Sequence, residues 1–158
     1  MAKRSFSMVT RTIWRSKRFR ALDDSMRLLM FYFITSPHQN SIGCFTLPVE
    51  YACADLGWPQ EVYESARDGL ANCGLITVSE DGETIFISDW FTHCPPSNRN
   101  HAVGLERQIE DIPDEAVKDA AFTAYSEAVL DGQNENKFRP SGGNVSHLTN
   151  TSFLRGRA

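Results

Sequence analysis

The sequence predicts a mostly helical α+β fold around one core, and three observations carry that reading. The elements run helix, short strand, helix, helix, then a two-stranded hairpin. The connections between them are a few residues long, as compact domains require. The 158 residues are 41% hydrophobic and 11% aromatic, enough apolar surface for a packed core. That order is the one of a winged helix-turn-helix, three helices with the hairpin as wing. Here it has two additional C-terminal helices and a basic N-terminal arm. The expected divisions are an arm at 1–21, a winged-helix domain at 22–92, C-terminal helices at 93–131 and a disordered tail at 132–158.

Each element has a local cause. The arm interleaves basic residues with Phe6, Met8, Val9, Ile13, Trp14 and Phe19, too many large side chains for a solvated tail. Ile13 and Trp14 are expected to anchor it on the body. Asp23 or Asp24 is placed as N-cap of the first helix, since a short carboxylate accepts from the free amides of the first turn. Leu22, Met26, Leu29, Met30 and Phe33 form its apolar stripe, widened by Leu28, Phe31 and Ile34, and Pro37 ends it.

After a polar loop, Cys44–Leu47 reads as a short strand. Pro48 and Pro59 suit the openings of the next two helices, and Gly57 stops the first of them. In the third helix, Val62, Ala66, Leu70 and Cys73 recur at helical spacing, with Gly74 as left-handed cap. Leu75–Ser79 and Thr84–Ser88 flank an Asp-Gly turn and predict the hairpin. Pro95-Pro96 breaks the chain. A helix follows Ser97–His101 to about Asp111, and another opens at Pro113-Asp-Glu, carries Ala116, Val117, Ala120, Ala121, Ala124 and Tyr125, and ends near Gly132.

The net charge of −4 conceals a split. Residues 1–27 hold eight basic and two acidic side chains, and residues 28–98 hold one basic and nine acidic. Residues 99–136 hold three basic and nine acidic, and 137–158 hold four basic and none acidic. Basic ends on an acidic body point to nucleic acid or an acidic partner for the ends.

The longest apolar run in the first helix is seven residues, Leu28–Ile34, against about 20 for a bilayer span. No membrane partner is expected. No apolar segment follows the basic N-terminus as a secretory signal would need, so a cytoplasmic location is expected. The four cysteines lack a C-x-x-C pair and read as reduced, buried thiols. His93, Cys94 and His101 offer at most three ligands where a structural zinc site takes four. No metal, cofactor or catalytic set is expected.

Several segments together resemble a known family. They are Ile13-Trp14, the Leu22–Ile34 helix, Gly43-Cys-Phe-Thr-Leu-Pro48 and Ala54-Asp-Leu-Gly57. Val62 with Leu70-Ala-Asn-Cys-Gly-Leu-Ile76, and Ile85 with Ser88-Asp-Trp-Phe91 and His93, complete the set. The chain resembles, over residues 10–105, the N-terminal winged-helix domains of phage replisome-organiser and DnaD-type replication initiation proteins. The resemblance implies DNA replication initiation or transcription regulation in a phage, prophage or bacterial setting, by binding and assembly without catalysis.

Two surfaces compete for the functional role. The third helix, normally the DNA-reading one, presents Gln60, Glu61, Tyr63, Glu64, Arg67 and Asp68, and the wing tip is Glu80-Asp81-Gly82-Glu83. Both are acidic and repelled by a duplex carrying a charge per ~1.7 Å of axis. The arm offers Arg11, Arg15, Lys17, Arg18 and Arg20 for phosphates, with Trp14 and Phe19 to pack or stack, and Arg99 adds a cation near a helix start. The arm's charges alternatively pair with the acidic body. One reading is a DNA-binding protein acting through the arm. The other is a protein-interaction winged helix whose Glu61, Glu64, Asp68 and Asp81 bind and inhibit a basic nucleic-acid-binding partner. A homodimer is open under either.

Overall fold

The computed structural model describes residues 7–138, with side chains for 7–131. A 3₁₀ turn (Arg11–Arg15) leads into a four-residue helix α1 (Lys17–Arg20). Then come α2 (Asp24–Thr35), β1 (Cys44–Thr46), α3 (Val49–Leu56) and α4 (Gln60–Asn72). The hairpin β2 (Ile76–Val78) and β3 (Thr84–Ile87) follows, then α5 (Trp90–His93), α6 (Arg99–Glu110) and α7 (Glu115–Phe138). This is a mostly helical α+β architecture with one small antiparallel sheet, compatible with a winged helix-turn-helix.

The termini form where short polar side chains replace missing backbone partners. Asp23 Oδ1 accepts from the Met26 amide at 2.8 Å, Asn98 Oδ1 from the His101 amide at 2.9 Å, and Asp114 Oδ1 from the Val117 amide at 2.9 Å. Pro48 and Pro59 stand at the N-cap positions of α3 and α4, one residue before each helix begins. Gly57 and Gly74 close those helices at φ +66° and +68°, a region open to glycine without penalty.

The sheet order is β1-β3-β2, so β1 returns from before α3 to pair with the far strand of the hairpin. Phe45 faces Ile85 on one side and Val78 faces Ile85 on the other. All four β3 residues are buried, because the sheet is covered on both faces. α7 packs against β2 and β3, while α2 packs on α4.

Phe86, Phe91 and Tyr125 continue the core from sheet to α7, with ring centroids 6.4 and 5.4 Å apart. One buried cluster runs from Phe19 to Tyr125, across both boundaries drawn at 21/22 and 92/93. Each large side chain in it contributes roughly 1.5–3 kcal/mol by leaving water.

Several expectations are corrected. Tyr63, read as outward on α4, is fully buried at 0% exposure, while Val62, read as inward, is 39% exposed. The buried face is Tyr63, Ala66 and Leu70, because Phe33 offers Tyr63 an edge-on aromatic seat at 6.5 Å. Leu28 is exposed on α2 and Ala116 on α7. Of the cysteines only Cys44 is buried, and Cys73 is exposed at the end of α4. Helix α7 continues past Gly132 to Phe138. The remainder of the expected tail, 139–158, and the first six residues of the arm lie outside the described residues.

Candidate nucleic-acid interface

The basic segment is folded onto the body. Thr10 Oγ1 accepts from the Thr12 amide at 3.1 Å and starts the 3₁₀ turn. Ser16 Oγ accepts from the Phe19 amide at 3.4 Å and starts α1. Phe19 is the buried anchor, and its ring meets Phe31 edge-on at 5.4 Å. Arg27 of α2 donates to the Arg20 carbonyl at 2.8 Å, tying the end of α1 to α2. Ile13 packs against the core as expected. Trp14 packs only in part: its ring centroid lies 5.6 and 5.7 Å from those of Phe19 and Phe31, and the residue remains 62% exposed.

The cations of this segment divide into two kinds. Arg18 is engaged within the chain, donating to Asp89 Oδ2 at 3.0 Å and to the Gly74 carbonyl at 2.6 Å. It thereby binds the carbonyl end of α4, where the helix dipole favours a cation. Arg11, Arg15, Lys17 and Arg20 are exposed, and among the described residues their side chains form no ion pair. Arg99, also exposed, lies in the first turn of α6, whose packing partner is α7.

The acidic surface is arranged differently. Arg67, the lone cation of α4, is turned away from solvent. It donates to Asp68 Oδ1 at 3.0 and 3.1 Å and to the Gly82 carbonyl at 3.2 Å, and it lies 5.8 Å from the Tyr63 ring centroid. Gln60 donates to Glu64 at 2.9 Å, and Glu61 is exposed one residue on.

At the wing tip, Asp81 accepts from the Ser79 hydroxyl and from the Glu83 amide at 2.9 Å. These bonds, the Ser79 bond foremost, hold its carboxyl below the usual carboxylate range. The Glu80 amide donates to Asp114 Oδ2 at 3.4 Å, so the wing turn rests on the start of α7. The carboxylate of Asp81 thus serves the turn, a role visible in the Ser-Glu-Asp-Gly pattern once the Asx geometry is considered.

Among the described residues, no group of three His, Cys, Asp or Glu side chains is placed to hold a metal ion, and no helix is long and apolar enough to cross a membrane. Compared with protein-family models, curated proteins and solved structures, the chain matches none.

Proposed function

We propose that this chain is a non-enzymatic DNA-binding winged helix of phage or prophage type, acting in replication initiation or transcription regulation. DNA is held by the folded basic segment instead of by α4 and the wing. The observation that carries the reading is the contrast between the two surfaces. Among the described residues, Arg11, Arg15, Lys17 and Arg20 stand exposed and form no ion pair, whereas the one arginine of α4 is engaged by Asp68 and Gly82. Glu61 and Glu64 on α4 disfavour a phosphate backbone on that face.

The test is fluorescence anisotropy with labelled DNA across a salt series. Binding is expected to weaken steeply with salt. Combined replacement of Arg15, Lys17 and Arg20 by Ala lowers the slope of log K against log salt by up to about three. Undiminished binding in that variant, or none at low salt in the native chain, overturns the reading.

The second reading, an acidic face for a basic protein, is favoured by one feature: Val62 stands exposed beside Glu61. Reversal of Glu61 and Glu64 to Lys abolishes partner capture under that reading. Under the first it leaves DNA affinity equal or higher.

A further inference from the structure

We propose that Trp14 is a base-stacking platform that gives the basic segment a preference for single-stranded DNA over duplex. This rests on the reading of that segment as the DNA contact. Trp14 sits in the 3₁₀ turn between Arg11 and Arg15, with Lys17 and Arg20 in the next turn of chain. A tryptophan 62% exposed is costly to leave in water.

Its position is nevertheless well defined. Phe19 meets it edge-on, with ring planes at 87°, and Phe31 supports it at 44°; Phe19 itself is buried. The indole is thus a supported aromatic surface in a segment whose Arg11, Arg15, Lys17 and Arg20 form no ion pair among the described residues. That combination takes a polyanion that carries flat apolar groups: cations track the phosphates while bases stack on the ring. A duplex keeps its base faces covered by their neighbours, so it offers Trp14 little without unstacking.

The same charges argue against a second copy of this chain docking face to face, because its own cations would meet there.

The experiment measures affinity for an oligo(dT) strand and for a duplex of equal length, at matched salt, with full-length chain. Trp14→Ala is expected to weaken oligo(dT) binding by at least about fivefold, the low end of the loss for one stacked base. Duplex binding and both salt slopes are expected to stay unchanged. Trp14→Phe retains a ring and keeps oligo(dT) affinity within about threefold.

Intrinsic fluorescence gives an independent reading, since oligo(dT) quenches the native chain and not Trp14→Phe, whose remaining tryptophans are Trp58 and Trp90. Equal loss of single-strand and duplex affinity in Trp14→Ala, or persistent quenching in Trp14→Phe, overturns the stacking role while leaving the basic segment as the DNA contact. Absence of all DNA binding overturns both. A DNA-free dimer that Trp14→Ala dissociates assigns the indole to self-association and also overturns the proposal.

Discussion

Arg15 and Arg18 are three positions apart and have the same side chain, yet their surroundings assign them different work. Arg18 closes the carbonyl end of α4 and reaches Asp89, residues 56 and 71 positions away in the chain. The ion pair itself is half exposed and worth little. The bond to the Gly74 carbonyl is the stronger part, because a charged donor meets a backbone acceptor just past the end of α4. Arg18→Ala is therefore expected to lower unfolding stability by about 1 kcal/mol, read as a lower urea midpoint with unchanged m-value. Arg15→Ala leaves the urea midpoint where it is and lowers the salt slope of DNA binding. A DNA-binding loss in Arg18→Ala equal to that of Arg15→Ala, without any change in midpoint, would show that Arg18 leaves Asp89 to meet phosphate.

Helix α4 shows which part of an element local pattern determines and which it does not. Ala66 and Leu70 belong both to the expected stripe with Val62 and to the observed one with Tyr63. The two stripes differ by about 100° at one position, and tertiary contacts, the aromatic seat offered by Phe33 among them, decide between them. The N-cap at Asp23 or Asp24 and the stops at Gly57 and Gly74 were legible because their cause lies within a few residues. Pairing of β1 with β3 was not, since it joins segments some 40 residues apart.

The candidate site divides the same way. Exposure of Arg11, Arg15, Lys17 and Arg20 follows from their charge, while the internal use of Arg18 and Arg67 depends on distant carbonyls. Gly43 is the clearest element-scale test. It enters β1 at φ +67°, and a Cβ there would overlap the Trp90 side chain, which is itself held by a 2.9 Å bond from Nε1 to the Ser41 carbonyl. Gly43→Ala thus combines left-handed strain with overpacking, and an unfolding cost of about 2 kcal/mol or more is expected. Gly57→Ala, at a similar φ but with open space around it, carries the strain alone and is expected to cost about half as much.

At the scale of the whole molecule, α6 and α7 are part of the core instead of an appendage to it. Leu105, Ile109, Val117 and Ala121 are buried in the same cluster as Phe33 and Leu70, and α7 packs against both strands of the hairpin. Tyr125 is the joint. Its ring meets Phe91 at 5.4 Å, and its one hydroxyl proton is shared between Glu106 at 3.0 Å and the Ala102 carbonyl at 3.2 Å. One cooperative transition follows, in which far-UV circular dichroism and tryptophan fluorescence report the same midpoint. Tyr125→Ala is expected to shift both together, by about 3 kcal/mol or more for a truncated core aromatic. Tyr125→Phe keeps the ring and loses about 1 kcal/mol with the hydroxyl bonds. Burial, then the bond to Glu106, pushes the Tyr125 hydroxyl up to about 12. A folded pKa above the unfolded value near 10 means this contribution is whole below pH ~10 and fades as pH rises toward 12. Tyr125→Phe consequently shows a shallower loss of stability across that alkaline range than the native chain. Separate midpoints for the two probes in Tyr125→Ala would mean that α6 and α7 unfold apart from the sheet they cover.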